Sequence, residues 1–102
     1  MSSHIFYIPH ADDEILSMGP AVLRAVRSGA SIYFVLLTDG AGDISRGTIN
    51  GEQPCRWHGY THDPEAEGYP DGALNLEAFI AARQREFHAS AEIFGVPEQN
   101  IA

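Results

Sequence analysis

Two apolar runs separated by one helix-length segment constrain the fold of this chain most. Residues 5–8 are β-branched and aromatic and end at Pro9, and residues 31–38 contain six consecutive apolar residues. Such continuous runs are typical of strands that are buried on both faces of a parallel sheet. Because parallel neighbours need a long crossover connection, the pattern predicts a βαβ unit and an α/β fold class.

Two helices are predicted around the second run. The segment between the runs has apolar residues at helical spacing, and it predicts a helix that begins near Ser17, keeps Pro20 in its first turn and ends at Gly29. A second helix is predicted from the N-cap residue Asn75 to the stop at Gly95. The order βαβα therefore predicts a Rossmann-like parallel sheet.

A long loop is predicted at residues 39–75, where regular periodicity disappears and seven of the ten glycines lie. Loops of this length in compact domains are usually lids, binding loops or disordered inserts. Its aromatic residues Trp57, Tyr60 and Tyr69 favour a packed or substrate-facing loop. After the second helix, residues 98–102 occupy the place where a third parallel strand should start, so the sheet is predicted to be incomplete.

Composition excludes several classes of function. The 102-residue chain has 14 acidic residues against six arginines, no lysine and a net charge of −8, which disfavours nucleic-acid binding and leaves no amine for a Schiff base. No apolar run reaches the roughly 18 residues of a membrane span, and residues 1–9 do not form a signal peptide. The single Cys55 fits a reducing compartment, so we predict a cytoplasmic protein.

The chemistry concentrates in the sequence P-H-A-D-D-E at residues 9–14, directly after the first strand. Ligands of open α/β sheets bind beyond the carboxyl ends of the strands. His10 and Asp13 supply donors of the kind that Zn²⁺ accepts and could face one ion, which leaves Asp12 free for general base work. The same donors would also admit iron, cobalt or manganese.

Other interpretations of these residues remain open. Asp and Glu are favoured in the first turn of a helix without any ligand. An acidic pair after a buried strand also occurs in phospho-receiver domains, but that class needs a lysine, which this chain lacks. A third alternative is a non-catalytic binding or interaction module on the same scaffold, which would self-associate through its open sheet edge.

Three stretches in the chain resemble the PIG-L/LmbE-like family of zinc-dependent sugar de-N-acetylases. They are P-H-A-D-D-E at residues 9–14, T-D-G at 38–40, and R-x-x-E at 83–86 followed by F-G-V at 94–96. The family's usual first motif is A-H-P-D-D-E, from which Pro9 and Ala11 depart. The resemblance implies that residues 1–102 form the N-terminal part of a larger three-layer catalytic domain, which hydrolyses the N-acetyl group of an amino sugar or glycoconjugate.

The resemblance also implies roles for individual residues. His10 and Asp13 are two zinc ligands, and Asp12 is the general base that activates a zinc-bound water. Arg83 lies near the sugar substrate, with Glu86 as its orienting partner. From spacing alone, Arg83 and Glu86 could equally form an exposed ion pair on one helix face.

Three further roles remain: a second substrate contact, a supporting residue and the third zinc ligand. Asp39 of the T-D-G match is assigned to the substrate, although Asp-Gly is also an ordinary turn pair, and Glu14 is assigned a supporting role. The family's third zinc ligand is a histidine from a later segment. His58 and His62 in the loop are candidate substitutes, and otherwise the site needs the remainder of the polypeptide or a homo-oligomer as partner.

Overall fold

The computed structural model describes residues 2–69 and 72–102. Its elements in chain order are β1 (Ser3–Ile8), α1 (Asp13–Leu16), α2 (Gly19–Arg27), β2 (Ser31–Leu36), α3 (Ser45–Ile49), α4 (Leu76–Phe94) and the 3-10 helix Glu98–Asn100. The chain divides into two compact units, which we call the sheet unit (Met1–Gly40 and Ala82–Ala102) and the loop unit (Ala41–Ala81). The α/β class is confirmed, and the arrangement is consistent with part of a Rossmann-like fold.

The sheet unit is built on two parallel strands. β1 pairs with β2 with Ser3 opposite Ser31, and α2 lies between them in the chain. Ile101 forms a further parallel bridge with Phe34, and the Ala102 N–H donates to the Phe34 carbonyl at 2.9 Å. Residues 98–102 therefore lead into the position that was predicted for a third parallel strand.

One face of this sheet carries the core. The buried cluster consists of Ile8, Ala11, Val22, Ala25, Ile32, Phe34, Phe87, Ala91 and Val96. On the opposite face Ile5 and Tyr7 are 55% and 58% exposed, and Tyr33 is 39% exposed. The prediction of burial on both faces is therefore wrong for the described residues, because the buried cluster lies on one face while large apolar side chains on the other face are exposed.

The helix boundaries follow the predicted signals. The first predicted helix corresponds to α2, which begins at Gly19 and is preceded by the short helix α1. Pro20 lies in the first turn of α2, where its missing N–H costs nothing. Gly29, with φ of 79°, ends α2 in the left-handed conformation that glycine adopts readily. The Asn75 side chain caps α4 by accepting the Ala78 N–H at 2.7 Å, and Gly95 ends it.

The loop unit contains little apolar core. It covers most of the predicted loop at 39–75, of which residues 70 and 71 lie outside the described residues. Among its described residues only Cys55, Pro64 and Phe79 are buried. None of the helices in the described parts of the chain combines the length and apolarity that crossing a bilayer requires.

Candidate functional site

The turn after β1 brings His10 and Asp13 together. The backbone N–H of His10 donates to Asp13 Oδ2 at 3.0 Å, and His10 Nδ1 lies 3.3 Å from the same oxygen. Both side chains reach solvent, since they are 69% and 23% exposed. Two ligand atoms of one tetrahedral zinc ion lie roughly 3.3 Å apart, so the donor types and their spacing fit a shared metal ion.

Asp12, between these two residues, has an unusual backbone. Its φ of 111° is the only positive value at a non-glycine residue in the described parts of the chain. Such conformations cost about 1 to 3 kcal/mol and persist only where surrounding contacts impose them. Here the buried carboxylate of Glu14 accepts the Asp12 N–H at 2.7 Å, and the Asp12 carbonyl accepts the N–H of Leu16 at 2.8 Å. Glu14 therefore supports the turn.

Arg83 on α4, far along the chain from the turn at residues 10–14, also contacts this turn. Its guanidinium donates to the Ala11 carbonyl at 2.5 Å and lies 3.5 Å from Asp12 Oδ2. A second nitrogen donates to Glu86 at 2.7 Å. The ion pair with Glu86 exists, but Arg83 is more than a surface residue, because it joins α4 to Asp12. Sequence spacing gave no signal for its bond to Ala11.

Hydrogen bonds join the turn after β2 to the turn after β1. Thr38 Oγ1 donates to the Pro9 carbonyl at 2.5 Å, and the Leu37 N–H donates to the Ile8 carbonyl at 2.8 Å. Asp39 follows directly and lines an open groove together with Gln84. The three motifs that carry the resemblance therefore all contribute to the carboxyl end of the sheet unit.

A second groove of the sheet unit begins at Asp12 and Arg83 and has mostly apolar walls. Ile15, Phe87 and Phe94 are among the residues that line it. An apolar substituent of a bound molecule could occupy this groove while a polar group lies at the Asp12 carboxylate.

No third ligand atom from the described residues joins His10 and Asp13 in a metal-type cluster. A different group occurs in the loop unit, where the ligand atoms of Cys55, His58 and His62 all lie within 4.8 Å of one another. From the sequence, both histidines are predicted only as substitute ligands at the first site, with no link to Cys55. The spacing C-x2-H-x3-H was the signal that could have found the group.

Comparison with known proteins identifies the family. The family model of the GlcNAc-PI de-N-acetylases, PIG-L, matches residues 5–102. No curated protein and no solved structure matches the chain significantly. Members of this family are metal-dependent enzymes that act on N-acetylated sugars, which suggests deacetylase-type hydrolase activity. Because the match covers nearly the whole sequence, the chain belongs to the PIG-L family of de-N-acetylases.

Proposed function

We propose that the protein is a zinc-dependent hydrolase that removes the N-acetyl or another N-acyl group from an amino sugar or glycoconjugate. The observation that carries the proposal is the 3.3 Å approach of His10 Nδ1 to Asp13 Oδ2, with Asp12 between them in the chain and in contact with Arg83. Family membership supports the reaction type. A phospho-receiver function has no support from the family match.

His10 and Asp13 would hold the metal ion. An imidazole nitrogen and a carboxylate oxygen are both common zinc ligands, and both are accessible to solvent here. When bound, zinc supplies Lewis acidity toward an acyl carbonyl and lowers the pKa of a water molecule. We assign no further protein ligand among the described residues.

Asp12 would accept the proton of the attacking water. Its carboxylate is half-exposed, so a water molecule can reach it, and Arg83 restricts its orientation from 3.5 Å. The backbone of Asp12 is fixed independently by Glu14, which leaves both carboxylate oxygens available for proton transfer and for Arg83. A positioned base of this kind contributes about 10²- to 10⁴-fold to the rate.

Substrate contacts are proposed for Arg83 and Asp39, which lie at the carboxyl end of the sheet unit. Glu86 would keep the Arg83 guanidinium in place through its 2.7 Å bond. The apolar groove beside Asp12 would receive the acyl group or an apolar aglycone. A cytoplasmic location remains a prediction that rests on the single cysteine of the sequence.

Amine release from N-acetylglucosamine derivatives tests the proposal. The zinc-loaded protein is expected to release free amine and acetate in equal amounts, and chelation of the metal should stop the reaction. His10→Asn should abolish activity, whereas His4→Asn, at an exposed position at the start of β1, should leave it unchanged. A folded, zinc-loaded protein that releases no amine from any N-acetylated sugar would contradict the proposal and favour the non-catalytic binding module.

A further inference from the structure

The ligand atoms of Cys55, His58 and His62 all lie within 4.8 Å of one another. Cys55 Sγ lies 3.5 Å from His58 Nδ1, and His58 Nδ1 lies 3.0 Å from His62 Nε2. All three residues belong to the loop unit and are seven positions apart at most in the chain. None of them has a role in the proposed hydrolysis, so their proximity needs a separate explanation.

These distances match those between ligands of a tetrahedral zinc ion. With Zn–S near 2.3 Å and Zn–N near 2.05 Å, tetrahedral geometry places sulfur and nitrogen about 3.6 Å apart and two nitrogens about 3.3 Å apart. The observed separations of 3.5 and 3.0 Å are close to both values. A thiolate with two imidazoles is also a donor set that selects zinc or cobalt over magnesium and calcium.

Glu67 orients one of the two imidazoles. Its Oε1 lies 2.7 Å from His62 Nδ1, and its Oε2 accepts the Asp63 N–H at 3.0 Å. Because a carboxylate oxygen only accepts hydrogen bonds, His62 Nδ1 carries the proton of this bond. The unshared pair of Nε2 is therefore directed toward His58 and Cys55. Metal-binding histidines commonly have such a carboxylate partner on the nitrogen that does not bind the ion.

Backbone hydrogen bonds and a ring contact also position Cys55 and His58. The Cys55 N–H donates to the Tyr60 carbonyl at 2.9 Å, and the Gly59 N–H donates to the Cys55 carbonyl at 2.9 Å. The Tyr60 ring stacks on His58 at a centroid distance of 5.6 Å. A backbone hydrogen bond from His58 also lowers the pKa of Cys55 to about 7.

We propose that Cys55, His58 and His62 bind a zinc ion that stabilises the loop unit. With only three buried residues among those described, this unit has little apolar burial to hold it together, and small units with limited cores are often held by a metal. Three protein ligands leave a fourth position for water. On binding, the Cys55 thiol gives its proton to solvent as the sulfur–metal bond forms.

A hydrogen bond between the two imidazoles is the competing explanation. If His58 Nδ1 carries a proton, it can donate to His62 Nε2, and the 3.0 Å distance then needs no ion. The two explanations differ in one measurable respect. Only a metal site produces a sulfur-to-metal bond.

Cobalt titration of the intact protein distinguishes the two explanations. We expect Co²⁺ to produce a near-ultraviolet sulfur-to-cobalt charge-transfer band that saturates at one equivalent, and zinc to displace it. Trp57, the single tryptophan of the chain, lies two residues from Cys55, so its fluorescence should change in parallel. The absence of a charge-transfer band at saturating cobalt would overturn the proposal.

Variants identify the ligands. Cys55→Ser should abolish the band, and because Cys55 is buried, the exposed His58→Asn provides a second test that is less dependent on folding. Glu67→Ala should weaken cobalt binding about 10- to 100-fold. His4→Asn is the matched control and should change nothing. A band that survives in folded Cys55→Ser, or an unchanged affinity in His58→Asn, would overturn the assignment.

Limited proteolysis tests the stabilising role. Trypsin cleaves after arginine, and Arg56 lies between Cys55 and His58 in the chain. At a zinc concentration about 100 times its Kd, cleavage at Arg56 should slow about 100-fold if it needs the metal-free form. Zinc should not protect Cys55→Ser. Equal cleavage of the wild-type protein with and without zinc would contradict the stabilising role. This site does not depend on the proposed hydrolase function, and His10→Asn should retain the cobalt band.

Discussion

The turn at residues 10–14 and the group at residues 55–62 both present metal-type donors, but they are supported differently. In the sheet unit, Asp12 is fixed by Glu14 from its own turn and by Arg83 from α4, next to a buried apolar cluster. In the loop unit, the donors contact one another and Glu67, and few residues are buried. Contacts with the rest of the sheet unit hold the turn at residues 10–14 in place, whereas the bound ion would hold the group at residues 55–62 in place. Changes in the sheet unit should therefore reduce activity, and changes in the loop unit should reduce metal affinity.

The largest effect in this comparison is expected from Arg83→Ala. The variant loses a charge-assisted hydrogen bond to Ala11, worth about 1.5 to 3 kcal/mol, and the exposed ion pair with Glu86, worth about 0.2 to 1 kcal/mol. It also leaves Asp12 without its cationic neighbour. Amine release should fall about 100-fold or more, and the unfolding midpoint in urea should decrease. Arg85→Ala, on the same helix and exposed, is the control and should behave like the wild-type protein. Equal rates in the two variants would show that the contact at Asp12 has no part in the reaction.

A smaller effect is expected from Glu14→Ala. The variant leaves the Asp12 N–H without its acceptor in a conformation that is already strained, which should lower the free energy of unfolding by about 1 to 3 kcal/mol. Activity should fall as well, because the Asp12 carboxylate is no longer held in position. Glu92→Ala, an exposed position on α4, provides the matched control in the same denaturation and activity measurements. Unchanged stability in Glu14→Ala would mean that the turn is held by other contacts.

In the loop unit, Gly51→Ala should act mainly on metal binding. Gly51 has φ of 80°, and a Cβ there would overlap the carbonyl oxygen of His62. Gly29 has nearly the same φ, 79°, with open space around the missing Cβ, so Gly29→Ala carries the backbone strain without the overlap. Gly29→Ala should lose about 1 kcal/mol of stability, and Gly51→Ala should lose more because of the overlap. Only Gly51→Ala should weaken cobalt binding, and equal cobalt affinities would remove the proposed link between Gly51 and His62.

The smallest effect is expected from Thr38→Val. The Thr38 hydroxyl joins the two turns at the carboxyl end of the sheet through the Pro9 carbonyl, and it lies at an exposed position. Its loss should cost about 1 kcal/mol or less in thermal or urea unfolding. Thr61→Val, at an exposed position of the loop unit, is the control for the change in side chain. A large loss of activity at constant stability would instead assign Thr38 to the reaction.

Much of the fold could be predicted because its signals are local. Pro20 and Gly29 delimit α2, and Asn75 and Gly95 delimit α4, where they meet local backbone requirements. Burial of both sheet faces was predicted wrongly from apolar runs, since a run such as residues 5–8 shows that a strand is apolar and does not show what covers it.

The site was predictable only in part, for a related reason. His10, Asp12 and Asp13 stand next to one another in the sequence, so their proximity follows from a single turn. The bond from Arg83 to Ala11 joins residues 72 positions apart and depends on how α4 packs. The strained φ of Asp12 likewise has no sequence signature, because aspartate adopts many conformations in turns.

Asp12→Asn tests the central claim most directly when zinc content and amine release are measured on the same zinc-loaded sample. Asn keeps the size of the side chain and removes the base, so zinc content and the unfolding midpoint should match the wild-type values while amine release from an N-acetylated sugar falls about 10²- to 10⁴-fold. Asp43→Asn in the loop unit, where an amide oxygen can still accept the Ser45 bonds, should keep full activity. Undiminished amine release by folded, zinc-loaded Asp12→Asn would contradict the account.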